Sequence, residues 1–372
     1  MKYIDYARKM ADTMINRYEA KDLPPENTFF YHQGVFLAGM YELYKATGDE
    51  KYYNYVKNWV DSVVDEDGDI IGYSDKVPFE QLSEKAKKTK LTLDHKQPVI
   101  LLFPLYEKTG DERYKKAIET VITEFKKWKT NELGGYWHME TQPNQMWLDS
   151  VYMAGPMSLL YDKFAGDEDL KEKAIDQIMI MHENMMDYDS GLYYHGFDPS
   201  KKTVWSQNDR CCSTMVWGRA LGWYAVTLAD FAENLDKSNP RYDNLIEIEK
   251  NLLENLAKYQ DKKTKMWCQV VTMPEREGNW EETSCTCLFA YAFKKAARLG
   301  IVDKSFESVA YEAFEGLKKH IKDEEEFILE NVCTGTCIDE GDYDHYINRP
   351  VCENDLHGAG AFLLMCTELN KK

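Results

Sequence analysis

The chain has 372 residues, enough for a large core, and a formal net charge of −18. Such acidity argues against a nucleic-acid backbone as partner, and no apolar run approaches the length of a membrane span. Nine cysteines, an odd number, and a start at Met1-Lys2-Tyr3-Ile4-Asp5-Tyr6 without an apolar signal core point to a cytoplasmic protein with reduced thiols.

Amphipathic runs near residues 2–20, 50–64, 111–128, 167–187, 241–260 and 304–322 alternate with six more apolar ones. The apolar runs open at His32-Gln33-Gly34, Asp94-His95-Lys96, Trp147-Leu148-Asp149, Trp217-Gly218-Arg219, Glu281-Glu282-Thr283 and Asp355-Leu356-His357, at intervals of 53 to 74 residues. Each interval holds two helices and two connections, which reads as stacked helical hairpins. In the third amphipathic run Tyr114, Ala117, Ile118, Val121, Ile122 and Phe125 recur at helical spacing. The turn Thr47-Gly48-Asp49-Glu50 recurs as Thr109-Gly110-Asp111-Glu112 and, weakened, as Ala165-Gly166-Asp167-Glu168. Glycine there supplies a left-handed helix stop, and aspartate caps the next helix.

The alternate connections are longer and aromatic: Asp67-Gly68-Asp69, Gly134-Gly135-Tyr136-Trp137-His138, Gly191 to Gly196, and Lys265-Met266-Trp267-Cys268. One rim therefore carries tight turns and the other carries elaborate loops, where function normally sits. The pattern predicts an all-α protein, a single (α/α)6-barrel domain over residues 1–372, with the apolar helices inside. An open solenoid would need polar capping repeats, which the sequence does not show.

The unusual residues fall at the starts of the apolar helices. Asp149 stands among Met146, Trp147, Tyr152 and Met153, where burial would raise a carboxyl towards neutrality and suit a general acid. It could equally be a helix cap. Asp94 holds the matching place one repeat earlier, and paired carboxyls are standard equipment for glycoside chemistry. Arg219, flanked by Gly218 and Gly222, is either an internal salt bridge or a clamp on a substrate carboxylate. Trp147, Trp217 and Trp223 are each reasonable core residues, but as a set they suit a sugar-stacking wall. His138 and His195 end two equivalent loops, and His357 sits in the polar knot Glu353-Asn354-Asp355-Leu356-His357-Gly358. His32 and His95 are ambiguous; His182, His320 and His345 read as scaffold. Cys333-Thr334-Gly335-Thr336-Cys337 lacks a matching second pair, so a zinc site is not expected. No phosphate loop or nucleophile elbow is present, and neither metal nor cofactor is expected.

The tracts Met146-Trp147-Leu148-Asp149, Tyr152 to Pro156, Tyr194-His195-Gly196, Trp217 to Trp223 and Glu353 to Gly358 resemble the bacterial unsaturated rhamnogalacturonyl hydrolases, relatives of the unsaturated glucuronyl hydrolases. The resemblance covers nearly the whole chain. It implies an (α/α)6 barrel acting on the 4,5-unsaturated uronic acid that pectin lyases leave at a non-reducing end. It places the general acid/base at Asp149 and the second carboxyl at Asp94. Substrate contacts fall at Trp147, His195, Trp217, Arg219 and Trp223, and more loosely at His138. His357 is added as a substrate-binding candidate. The implied partner is a small imported oligosaccharide of the unsaturated galacturonyl–rhamnose type, and the protein is expected to be a monomer. The cysteine-rich segment 333–352 falls where the family sets substrate choice.

Three rivals stay open at this point. A conventional inverting glycosidase would use Asp149 and Asp94 as acid and base, about 6.5–9.5 Å apart. A sugar epimerase of the same architecture would use His138 and His195. A glycan-binding protein without chemistry would not require a carboxyl in an aromatic pocket.

Overall fold

The computed structural model describes residues 1–71 and 91–372. Among them, twelve helices alternate between an outer and an inner set. The outer helices are α1 (Tyr3–Arg17), α3 (Glu50–Val63), α5 (Glu112–Phe125), α7 (Glu168–Met185), α9 (Tyr242–Leu256) and α11 (Glu307–Leu317). The inner helices are α2 (Tyr31–Thr47), α4 (Leu102–Thr109), α6 (Ser150–Ala165), α8 (Gly218–Asn234), α10 (Thr283–Leu299) and α12 (Leu356–Leu369). Successive inner segments pack side by side, the second through its 3-10 turn Gln97–Leu101, and α12 returns onto α2 to close the ring, an α/α toroid. Each inner helix from α2 to α10 pairs with the outer helix that follows it. The sixth hairpin joins the ends of the sequence, α12 against α1.

Burial follows the two helix types. Every residue of α12 is buried, whereas α5 buries only Tyr114, Ala117, Ile118, Val121, Ile122 and Phe125, the stripe its sequence periodicity marks. Fully burying one such aliphatic or aromatic side chain contributes about 1.5–3 kcal/mol over leaving it in water. The repeated turn works as its residues dictate. Gly48, Gly110 and Gly166 adopt φ of 69°, 66° and 68°, and Asp49, Asp111 and Asp167 each accept a backbone N–H at the next helix start.

The second inner repeat departs from a plain helix. It begins as 3-10 turns at Leu93–His95 and Gln97–Leu101 before α4. Pro98 and Pro104 explain this, because each lacks the N–H that would bond the carbonyl four residues back. For Pro98 that carbonyl belongs to Asp94.

The long connections form short antiparallel pairs over one mouth of the ring. β1 (Met146–Trp147) pairs with β2 (Gly196–Phe197), and β3 (Ile321–Asp323) pairs with β4 (Phe327–Leu329). β5 (Val332–Cys333) pairs with β6 (Val351–Cys352), so the chain between them loops back over the barrel. Gly218 and Gly222 serve helix packing: a Cβ on them would lie 2.8 Å from Cys285 Sγ and 2.7 Å from Leu288 Cδ1, both on α10. All nine cysteines are free thiols. No helix among the described residues is long and apolar enough to cross a membrane.

Candidate active site

The elaborate mouth opens into a cavity of about 280 Å³. Asp94, His138, Trp147, Asp149, Trp217, Arg219 and Trp223 all line it, drawn from three successive repeats. A larger cavity of about 480 Å³ opens at the tight-turn end. Its buried Lys295 is already paired with Asp230 and Glu233, at 2.7 and 2.6 Å, so its charges are spent on one another. The smaller cavity is the one with uncommitted polar groups.

Asp149 occupies the N-cap position of α6 but its side chain makes no capping bond. Its Oδ2 instead lies 3.3 Å from Nε2 of His195, whose Nδ1 is 2.7 Å from the Tyr346 hydroxyl. Neither Asp149 Oδ2 nor His195 Nε2 has a well-aligned hydrogen bond within the protein, although both are buried. Buried polar atoms left in this way are a mark of a working site. Burial pushes the Asp149 carboxyl up, but His195 and then His138 outweigh it and hold the group below the usual carboxylate range. This reverses the sequence-based expectation of a raised value. The bulky neighbours in sequence are real, but His195 from the next long connection and His138 from earlier in the same one dominate the electrostatics.

Asp94 takes the opposite state. Burial, and then the negative charge of Asp149, raise it well above the ordinary carboxyl value. Its Oδ1 lies 3.5 Å from His138 Nε2. His138 in turn reaches Ser150 Oγ at 2.9 Å and stacks on Trp147 with ring centroids 4.2 Å apart. Burial lowers His138 to about 4, so it is a neutral ring at ordinary pH. The two buried carboxyls are thus pushed in opposite directions, Asp94 up and Asp149 down.

A pH signature follows. Folded Asp94 binds its proton more tightly than unfolded Asp94, so its contribution to stability is full in acid and is lost as pH rises from about 3.9 through the raised folded value. Asp94→Asn deletes that liability. The variant should melt at a higher temperature than the parent at neutral pH, with the gap closing below about pH 4. Melting curves across pH check this; equal curves at all pH values would show that Asp94 carries no buried-charge penalty.

Arg219 is buried and lines the cavity, yet its hydrogen-bond partners are neutral. It donates to Cys333 O at 2.6 Å, Thr334 O at 2.9 Å and Ser284 Oγ at 3.3 Å, and its guanidinium sits 5.1 Å from the Trp217 ring centre. The salt-bridge alternative is therefore not realised among the described residues. Glu282, fully buried, caps α10 through Ser284 N and Cys285 N and also accepts the Cys333 N–H at 2.9 Å. Glu282 and Arg219 together pin the backbone of Cys333 from both sides. Trp217 Nε1 is a buried donor without a protein partner.

His195 and His357 do not reach the cavity wall. His195 is fully buried behind Asp149, and His357 is fully buried behind Tyr31. The three histidines read as scaffold are bonded to neighbours: His182 to Tyr193, His320 to Glu281 and His345 to Thr336. Sequence reasoning missed Phe30, Tyr31 and Met139 as wall residues, and marked Gly335, Thr336, Cys337, Asp339 and Arg349 only collectively, as part of the segment 333–352. Tyr31 directly precedes His32 at the first repeat opening, a signal that position could have given. Within segment 333–352 nothing singled out Arg349 itself, because it is the β5–β6 pairing that brings it over the barrel.

An α/α toroid with two carboxyls, a tryptophan wall and a buried arginine at one mouth is the equipment of a glycoside hydrolase. The chain belongs to Glycosyl Hydrolase Family 88, whose model matches residues 6–372. It is similar to a solved Family 105 glycoside hydrolase from C. acetobutylicum ATCC 824, with 31% identity, 98% of this chain and 99% of that chain covered, and a TM-score of 0.89. Among curated proteins it is 26% identical over 308 residues to the unsaturated rhamnogalacturonyl hydrolase YesR of Bacillus subtilis, covering 80% of each. The unsaturated glucuronyl hydrolase of Bacillus sp. GL1 shares the fold at 13% identity, with 100% of this chain and 96% of that chain covered and a TM-score of 0.71.

Proposed function

We propose that this enzyme releases the 4,5-unsaturated uronic acid from the non-reducing end of short rhamnogalacturonan oligosaccharides by hydrating the C4=C5 double bond. The observation that carries the reading is Asp149, an uncapped carboxylate at the head of an inner helix facing a cavity walled by Trp147, Trp217 and Arg219. Rhamnose as the aglycone rests on the likeness to YesR. A cavity of about 280 Å³ suits the end of an oligosaccharide rather than the middle of a polymer.

The substrate brings a carboxylate of its own. A further negative charge beside Asp149 raises the affinity of that carboxyl for a proton, and Asp149 becomes protonated in the complex. Asp149 donates that proton to C4, and positive charge spreads over C5 and the ring oxygen. As a carboxylate again, Asp149 takes a proton from water as the water adds at C5. The resulting hemiketal opens and expels the aglycone. Arg219 faces the substrate carboxylate, the tryptophans stack on the sugar faces, and Asp94 holds the resting proton. Neither metal nor organic cofactor enters any step.

The experiment uses the unsaturated galacturonyl–rhamnose disaccharide and its saturated counterpart, following the ultraviolet absorbance of the double bond and free rhamnose. Loss of absorbance with rhamnose release, and no action on the saturated compound, is expected. Cleavage of both would favour a second reading that the opposed carboxyl states support, with Asp94 as acid and Asp149 as base of a conventional glycosidase.

A further inference from the structure

A second carboxylate–histidine chain points into the same cavity and has no part in the steps above. Asp355 caps α12 through His357 N at 3.0 Å and also pairs with His357 Nδ1. His357 Nε2 lies 2.5 Å from the hydroxyl of Tyr31, and Tyr31 lines the cavity. Gly335 stands over this chain, where even a Cβ would come no closer than 3.7 Å to the Tyr31 hydroxyl.

The polarity of the chain follows from its ends. Burial opposes ionisation of Asp355, but His357 and then Arg219 overcome it and hold the carboxyl far below its usual value. An ionised carboxylate only accepts, so His357 Nδ1 carries the hydrogen. Burial lowers His357, with Asp355 opposing, so the ring is neutral and Nε2 offers a lone pair. Tyr31 must then spend its single O–H on Nε2. What remains towards the cavity is a phenol oxygen that can only accept a hydrogen bond.

We propose that Tyr31 is a specificity-determining residue that accepts a hydrogen bond from a ring hydroxyl of the unsaturated uronyl unit, with Asp355 and His357 as the positioning residues that fix it as an acceptor. The assignment of a sugar hydroxyl rests on the proposed function; the polarity of the chain does not. It makes the site discriminate by hydrogen-bond direction: a hydroxyl fits, and an ether or a second acceptor at that carbon leaves two lone pairs facing each other.

Two measurements test this. Tyr31→Phe keeps the ring and removes the oxygen. It should lower kcat/KM on the unsaturated disaccharide by about 10- to 100-fold, mainly through KM. Of the 2-deoxy and 3-deoxy analogues, one should react equally with the parent and the variant. An equal loss on all three substrates, or no loss on any, overturns the contact. In the ligand-free enzyme, nitrogen NMR of His357 should show the Nδ1–H form with an accepting Nε2 that changes in Tyr31→Phe. An Nε2–H form overturns the polarity. An enzyme that leaves every unsaturated disaccharide intact refutes the proposed function and with it the sugar contact, while the nitrogen spectrum still decides the direction of the chain.

Discussion

Asp149→Asn should lower turnover of the unsaturated disaccharide by about 10²–10⁴-fold and leave binding within a few-fold of the parent. Asparagine keeps the shape of the side chain beside His195, so the tryptophan wall and Arg219 stay where they are. On the proposed reaction, what it removes is the ability to hold a proton for C4 and then to take one from water. Absorbance loss under single-turnover conditions measures the chemistry, and calorimetric titration of the variant measures binding. Undiminished turnover would remove Asp149 from the role; loss of binding in parallel with turnover would make it a substrate anchor instead.

Glu282→Ala should be the most destabilising single change near the site. It strips the partner from Ser284 N, Cys285 N and Cys333 N, all within buried backbone. Leaving such donors unpaired costs about 3–5 kcal/mol in total. The change also frees the strand that carries Cys333, and with it the carbonyls that Arg219 grips. Denaturant unfolding reads the stability, and kcat/KM reads the displaced Arg219. A loss below about 1 kcal/mol would mean that water or a neighbouring side chain replaces the carboxyl without strain.

The fold was legible because its signal is local and repeated. Tyr114 to Phe125 mark one face of one helix, and Gly110 followed by Asp111 marks a stop and a start. These rules act over a few residues and recur around the ring. Asp94, Asp149, Trp147, Trp217 and Arg219 were legible as wall residues for the same reason, each standing at a helix head. The chemical state of the two carboxyls was not. Met146, Trp147, Tyr152 and Met153 are neighbours in sequence, but His195 arrives at Asp149 from another loop and His138 folds back from earlier in the same connection, and together they reverse the expected shift. Nor could the sequence indicate that His195 and His357 stand one residue behind the wall. Their reach was clear, but the groups between them and the cavity, Asp149 and Tyr31, come from different hairpins. The wall from Gly335 to Arg349 depends on a pairing of two-residue strands, too short to leave a periodic trace.

Tyr152 and Trp223 stack with centroids 4.3 Å apart across the middle of the ring, the first facing the tight-turn cavity and the second facing the carboxyls. The toroid therefore has a floor, and the site is a blind well. Traffic through a blind well has a fixed order: the group that enters first leaves last. On the proposed reaction the unsaturated ring goes in first and the aglycone stays nearest the opening. The aglycone must depart before the opened uronate behind it can follow, and a longer oligosaccharide cannot slide forward for a second cut. Each molecule is trimmed once, released, and met again only if another enzyme creates a new unsaturated end.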